Sequence, residues 1–567
     1  MSDLSETAQT IFLKKYAKQL KSGKYEEWEK CAARVGTYVA RAEEREVDYL
    51  EYSADFTKII ADRVFIPGGR VLANAGTGIR NLMNCFSMPL EDTRQSIYNT
   101  LKNAAEIFAW GGGVGYNASH LREKGAPVKT TSGLASGPVS FLELFDTTGE
   151  VISQASRRGA QLAILNCDHP DIKSFITHKH TLNEKNKRIY AEFSRVAYDD
   201  LDSKMLYKIL ADNQLNHFNI SVGITDSFMD AVTQNSGWDL ISRAGLPTQT
   251  ISAVELFNLI AESAWTNGDP GLLFFDTVEE FNLVPYLGKL EGLNPCSEVP
   301  LLPNEACCLG SINLASFVED TYIDYQYLKD VVRYAVRFLD NVQTISTTPV
   351  VEINKATKLT RRLGLGVMGF ADLLAEMNIP YNHKEALDVA KNIAQFIQKT
   401  AWEYSMQLAD EKGAFPAFDA EKINWKLIDG LNLPHRPLRN VAVTALAPTG
   451  TISLLADVNS SIEPFFAKKY TRNVTSGIGN VAETSLDSNI KYNNILTAHD
   501  IDWKDHINMQ ATWQKYIDGA VSKTINMHED VTMEDVKNAY FYAWKMGCKG
   551  TTVYRQNSRN FQILNPK

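Results

Sequence analysis

The sequence predicts an α/β architecture with parallel strands, and three observations support it. Apolar residues recur at helical spacing at Ile97, Leu101, Ala105 and Phe108, and again at Val332, Ala335, Val336, Leu339 and Val342. Outside such stretches, 219–224 and 441–446 alternate or run apolar over the length of a strand. This mixture continues to the C-terminal end, with no low-complexity segment, Pro/Ser linker or internal repeat to break it into beads.

Taken in order, residues 1–60 are charged, rich in Lys, Glu and Ala, and free of Pro, which predicts a helical N-terminal region. The turn signal Pro67-Gly68-Gly69 opens a different texture, so 61–567 is assigned to one large domain. With 58 Lys+Arg against 67 Asp+Glu the formal net charge is −9, which argues against a partner that is a nucleic-acid polymer. A hydrophobic share of 44% and a charged share of 22% exclude a disordered or collagen-like chain. The beginning lacks the apolar core of a signal peptide, and no run approaches the roughly 18 apolar residues of a membrane span. Seven scattered cysteines with no CxxC pair exclude a disulfide scaffold or zinc ribbon, so no metal site is expected and a reducing cytoplasm is the expected compartment.

Three short motifs carry chemistry, each with a bland alternative. The run 111–118 (GGGVGYNA) has the GxGxxA spacing of a dinucleotide fingerprint, but it follows a helical pattern rather than a strand. A turn in which backbone approaches another strand or a ligand is the better reading. The stretch 447–453 (APTGTIS) follows an apolar run and lacks a Walker ending; its small residues could present N–H groups to phosphate. Asn294-Pro295-Cys296-Ser297-Glu298 places an amide, a thiol and a carboxylate at alternate positions, hence on one side of an extended loop. An Asn-Pro surface turn accounts for that spacing equally well. Eleven residues on, Cys307 and Cys308 could return a thiol toward Cys296, or simply fill core.

The segments 294–314 and 447–457, with 74–93 (NAGTGIRNLMNCFSMPLEDT), 132–146, 157–172, 362–374, 460–470 and 547–555 (GCKGTTVYR), occur in one order over about 65–560. In that order they resemble the catalytic subunit of ribonucleotide reductase, most closely its class II, adenosylcobalamin-dependent form. The resemblance implies a ten-stranded α/β barrel of two five-stranded parallel halves with a central finger loop. It also implies thiyl-radical reduction of ribonucleoside di- or triphosphates to 2′-deoxyribonucleotides.

Residue by residue, Cys296 matches the thiyl-radical cysteine that takes hydrogen from C3′, and Glu298 the carboxylate that accepts the 3′-OH proton. Asn294 matches the amide that orients the substrate hydroxyls, with Pro295 and Ser297 beside the substrate on the same loop. Cys85 and Cys307 match the pair that supplies a proton and two electrons and ends as a disulfide, while Cys308 is read as packing. Asn84 and Gly113 match substrate-lining positions, and Pro448, Thr449, Gly450, Thr451 and Ile452 match the loop that holds the substrate phosphates. Asp92 matches the acid that holds the ribose of a deoxynucleotide or ATP specificity effector. Arg157, Arg158 and Gln161 fall in the loop 156–163 that relays effector identity, and Arg122 and Lys129 border the neighbouring loop, where each could equally be a solvated surface charge.

Departures from the family pattern set the subclass. Class I subunits carry two adjacent tyrosines near the C-terminus, whereas 552–559 here contains Tyr554 alone, which favours cobalamin over a radical relay from a partner. Nothing resembles the ATP-cone domain, so no overall activity switch is expected, and Val71 stands where relatives often have a hydroxyl. Cys548 is the last cysteine, so re-reduction falls to a thioredoxin- or glutaredoxin-like protein or to a shuttle on another chain. A homodimer and a monomer both remain open. The competing readings are a class I subunit that needs a metallo-subunit and a non-catalytic nucleotide-binding regulator; with all five catalytic positions filled, the regulator is disfavoured.

Overall fold

Polar caps and apolar faces set the elements that carry the site. In the computed structural model, which describes residues 4–128, 132–154, 157–195, 200–475, 482–489, 492, 495–558 and 564–566, helices α1 (Glu6–Lys15), α2 (Trp28–Ala40) and α3 (Glu46–Ala61) form the N-terminal region. The Ser5 hydroxyl caps α1 by accepting from the Ala8 N–H at 3.1 Å, and Phe12, Trp28 and Phe56 are buried where the three helices meet the rest of the chain. Full burial of such side chains contributes about 1.5–3 kcal/mol each.

Ten chain segments then close a ring. In the first half β1 (Cys85–Pro89), β2 (Gly113–Asn117), β3 (Gln161–Asn166), β4 (Phe218–Ile224) and β5 (Gly271–Phe274) are parallel neighbours in that order. In the second half β6 (Ala306–Asn313) pairs in parallel with β7 (Leu363–Met368), and β8 (Thr524–Met527) with β9 (Gly550–Arg555). Between these two pairs runs the extended segment 441–446, bridged in parallel from Leu365 to Thr444 and from Leu446 to Val521. The halves meet antiparallel at both seams, β1 with β6 and β5 with β9. This is the expected barrel of two five-stranded parallel halves.

The segment 441–446, expected as a regular strand, makes only isolated bridges. The reason is local: the Asp518 carboxylate takes the N–H groups of Val443 and Thr444, at 2.9 and 3.1 Å, that a ladder would otherwise use.

Parallel neighbours need crossover helices. They include α4 (Arg94–Ala109) between β1 and β2, α5 (Pro138–Val151) before β3, α6 (Ala253–Asn267) before β5, α7 (Tyr325–Ile345) before β7, α8 (Lys384–Lys412) before 441–446, and α9 (Met533–Lys545) before β9. The stripe predicted on α4 packs inward as expected, Ile97 and Phe108 buried and Leu101 and Ala105 half-buried. On α7 all five predicted positions are buried, and Asp324 caps its start by accepting from the Tyr327 N–H at 2.9 Å.

The N-terminal helices are tied to the barrel by buried charge. Glu43 accepts from Arg337 at 2.8 and 2.9 Å, from Asn341 at 2.8 Å and from Lys412 at 3.0 Å. Burial opposes ionisation of Glu43, yet these donors outweigh it and bring its carboxyl down to about 2. One residue before Asn341, buried Asp340 binds Arg361 at 2.7 Å, Arg439 at 3.2 Å and Asn440 at 3.1 Å.

Candidate active site

The chain between β5 and β6 turns into the barrel as a hairpin, Gly292–Leu293 against Pro300–Leu301, and its tip is 294–299. At the base of this finger it presses on β2: a Cβ on Gly115 would lie 1.6 Å from the Leu293 carbonyl oxygen. Only glycine fits there, so the glycine run 111–118 serves the close backbone approach expected, but it does so as the strand Gly113–Asn117 and not as a turn. The tip is fastened by the Asn219 side-chain amide, which donates to the Pro295 carbonyl at 2.8 Å, and by the Ala520 N–H, which donates to the Glu298 carbonyl at 2.7 Å. Ser297 takes a left-handed φ of 62° and donates its N–H to the Asn294 carbonyl at 2.9 Å, so the tip is a turn started by Asn294-Pro295 and not the extended loop that alternation implied.

Four of the five predicted catalytic residues make direct contact or face one another. The Asn294 amide donates to Cys85 Sγ at 3.2 Å, and Cys85 Sγ lies 4.0 Å from Glu298 Oε1. Asn294 is itself oriented by the Val299 N–H, which donates to its Oδ1 at 2.9 Å. Cys85 and Cys307 stand directly opposite each other across the β1–β6 seam. Opposed residues of an antiparallel pair have Cα atoms about 4.5–5.5 Å apart, within the range a disulfide spans. Both are free thiols in this structure, and both fall in a small apolar cluster with Val299, Leu301, Leu309, Ala445 and Ala447. Cys308 points to the opposite face of the strand, into the main core, with its Sγ 3.4 Å from the Leu339 carbonyl, which agrees with packing.

Cys296 differs from the other six cysteines, all buried, in being exposed to solvent. It is nevertheless walled by protein, and burial raises its thiol pKa so that it holds its proton. Burial likewise pushes Glu298 up to about 7, only partly offset by the hydrogen bond with Asn294, which leaves the carboxyl divided between acid and base near neutrality. Among the described residues, Glu298 Oε2, on the carboxyl beside Cys85, has no partner, and neither has Asn84 Oδ1, which lies against Gly68. An unpaired buried oxygen costs about 1–3 kcal/mol, so each marks a place built for something polar.

Gly113 is the parallel partner of Cys85, with the Pro295 ring 2.8 Å from where its Cβ would be. The predicted phosphate loop, 448–452, follows the segment 441–446. Thr449 has a left-handed φ of 54° and its hydroxyl accepts from the Ser461 N–H at 2.7 Å, while Ser461 Oγ is buried without a partner. Thr451 leads into the one-turn helix Ile452–Leu455 and is hydrogen-bonded by the Tyr16 hydroxyl at the end of α1. That contact, from 435 residues away in sequence, was not expected. Neither was the Asn219 anchor, although its strand was; an amide that bonds a distant carbonyl leaves no local signature.

The predicted effector residues sit apart from this centre. Arg122 Nε donates to Asp92 at 2.7 Å, its backbone N–H donates to the other Asp92 oxygen at 3.2 Å, and both side chains are half-exposed. Gln161 is buried at the start of β3, accepting from the Tyr116 hydroxyl at 3.3 Å and donating to the Phe145 carbonyl at 3.0 Å, so its amide is already engaged in the core. Arg157 and Arg158 form a short strand with Ser153–Gln154, but their side chains and Lys129 lie outside the described residues. Among the described residues no cluster of His, Cys, Asp or Glu is placed to hold a metal ion, and no helix is long and apolar enough to cross a membrane.

A ten-stranded barrel in two antiparallel halves, with a thiol and a carboxyl raised into its centre on a finger and two more thiols facing across a seam, defines a thiol-based redox enzyme class. The chain belongs to the ribonucleotide reductase large-subunit family. The family's barrel domain matches residues 83–554 and its all-alpha domain residues 2–80. Vitamin B12-dependent ribonucleoside-diphosphate reductases of Thermoplasma acidophilum and Mycobacterium tuberculosis are each 40% identical to it, over 90% of this chain and 66% and 72% of their own lengths. A vitamin B12-dependent ribonucleotide reductase of Streptomyces clavuligerus is 29% identical, over 89% of this chain and 60% of its own. The chain thus spans between 53% and 72% of the length of these and similar B12-dependent relatives.

Proposed function

We propose that the chain reduces ribonucleotides to 2′-deoxyribonucleotides with adenosylcobalamin, and that ribonucleoside diphosphates, named for its 40% identical relatives, are the substrate. One observation carries the reading: an exposed thiol, a buried carboxyl with an unpartnered oxygen and an orienting amide share one fingertip, with a facing thiol pair beside it.

The chain's own residues divide the work. Cys296, as a thiyl radical, takes the C3′ hydrogen and returns it after reduction. Glu298 accepts the 3′-OH proton, for which a value near 7 is well matched. Asn294 and Asn84 hold the hydroxyls, and loss of the 2′-OH as water is driven by a proton from Cys85. Two electrons come from the Cys85 and Cys307 thiols, which join as a disulfide. Pro448 through Ile452, with Ser461 alongside, hold the phosphates, and Asp92 with Arg122 holds the ribose of a nucleotide effector.

The site suits the cofactor in one respect: the hydrogen to be removed is on a free thiol that solvent reaches. When bound, adenosylcobalamin supplies the radical equivalent by homolysis of its carbon–cobalt bond. Cys85 is 4% exposed and Cys307 fully buried, so a folded reductant does not reach them; a flexible segment bearing cysteines, itself served by a thioredoxin- or glutaredoxin-like protein, does. The cytoplasm is the compartment that keeps seven cysteines reduced.

The test is turnover of a ribonucleoside diphosphate by the purified chain with a dithiol, with and without adenosylcobalamin. Deoxyribonucleotide that depends on the cofactor alone is expected. Product only after a second cell protein is added would point to a class I subunit, and nucleotide binding without turnover to a regulator.

A further inference from the structure

Lys549 lies in the motif 547–555, to which the proposed chemistry gives no role. It is 2% exposed, and its ammonium donates to three backbone carbonyls, Asp518 at 2.7 Å, Gly519 at 2.9 Å and Ile517 at 3.4 Å, beside the ring of Phe281. Burying an ammonium is expensive, and an apolar side chain of similar size would fill this space at less cost. The three acceptors belong to one turn, 517–519, and what that turn touches explains the charge.

The Asp518 carboxylate reaches outward, accepting from Gln398 at 2.8 Å and Trp402 at 3.1 Å on α8 as well as from the N–H groups of Val443 and Thr444. The backbone reaches inward. Gly519 N–H donates to the Thr444 carbonyl at 2.9 Å, and the next N–H, of Ala520, holds the Glu298 carbonyl. A Cβ on Gly519 would stand 2.7 Å from that same Glu298 oxygen, so finger and turn are in direct contact. The ammonium is therefore one turn away from the fingertip, and it gathers carbonyls that would otherwise repel one another.

We infer that Lys549 is a positioning residue: by clamping the 517–519 turn it sets the depth of the Glu298 backbone, and with it the Glu298 carboxyl and the Cys296 thiol two residues before. Its geometry stands alone, while its catalytic consequence rests on the function proposed above. The charged groups facing the ammonium are Asp518 and Glu280, which favour its proton, and Arg362, which opposes it; burial is the largest influence and lowers Lys549 to about 8.

The experiment uses the full chain, its Lys549→Met variant and Gly519→Ala, which pushes the finger directly while leaving the lysine intact. Hydrogen exchange over 294–299 and iodoacetamide alkylation of Cys296 are read without turnover, and both should quicken in the two variants. In turnover, kcat should fall by about 100-fold in Lys549→Met with KM little changed. The acidic limb of its pH–rate profile should move from near 7 toward the ordinary 4.5 as water reaches the Glu298 carboxyl. If Lys549→Met does not fold, the unmodified chain decides: protection of 294–299, corrected for intrinsic exchange, should drop as pH passes about 8. Unchanged exchange and an unchanged acidic limb in Lys549→Met, or no drop near that pH, would overturn the inference. Faster exchange in a chain that makes no deoxyribonucleotide would support the clamp and reject the reductase reading instead.

Discussion

Two buried polar clusters in this molecule are each centred on carboxyl groups and behave in opposite ways. At the junction of the N-terminal helices with α7 and α8, Glu43 and Asp340 are each surrounded by at least three donors, and Glu43 is held ionised down to about 2. On the fingertip, Glu298 has one oxygen without a partner and a carboxyl pushed up to about 7. The first cluster has nothing left to bind and serves to join parts of the chain. The second is incomplete, and its incompleteness is what makes it reactive. A buried carboxylate alone does not mark a functional site; a buried carboxyl short of partners does.

The largest expected effect breaks the second cluster at its thiol. Cys296→Ser should reduce deoxyribonucleotide formation to background while nucleotide effector binding, measured by equilibrium dialysis, is retained. Loss of both would mean the finger supports the fold and not the chemistry.

Next in size, Glu43→Gln leaves Arg337 and Lys412 buried without their shared anion and should cost about 3–5 kcal/mol, read as a lower midpoint of thermal unfolding. A shift within the range of exposed ion pairs would show that the junction is held by apolar packing instead.

Glu298→Gln should act in the opposite direction. Its folded value near 7 lies above the ordinary 4.5, so the native state binds the proton more tightly than the unfolded chain. Below 4.5 the carboxyl is neutral in both states, and stability declines as pH rises from 4.5 to 7, by about 3 kcal/mol in all. The variant should therefore melt higher than the parent at pH 8 and alongside it at pH 4, while turnover falls about 100- to 10,000-fold. Equal melting at both values would mean that water already reaches Glu298.

The smallest effect on stability is expected at Asp92. Its bond with Arg122 is half-exposed, so Asp92→Asn should change stability by less than about 1 kcal/mol. Effector control of substrate choice should be lost in the same variant. Retained control would move the effector site elsewhere.

The two clusters were unequally legible in the sequence. Asn294, Cys296 and Glu298 lie within five residues and do share the fingertip, but through a turn closed at Ser297 and not through the alternation of an extended loop. The helix stripes at Ile97 and Val332 and the strand 219–224 follow from periodicity, which is a local property. Glu43 and Arg337 are 294 residues apart, and Lys549 meets a turn 30 residues before it, with no pattern in either neighbourhood to announce the contact. The segment 441–446 carries the apolar run of a strand, but the side chain of Asp518 displaces its ladder, an event that propensity does not record. Facing of Cys85 with Cys307 depends on register across a seam 222 residues wide, which family order implied and spacing did not.

The antiparallel seams have a consequence for where chemistry can be placed. In an all-parallel barrel every strand delivers its C-terminal end to one mouth, and reactive loops gather there. Here five strands run each way, so each mouth receives strand beginnings from one half and strand endings from the other. Neither mouth collects a full set of loops. The remaining common ground is the axis, which strand ends do not reach. A hairpin inserted along it does, and it can be touched from both halves at once: by Asn219 and Gly115 from one, by Ala520 and its turn from the other.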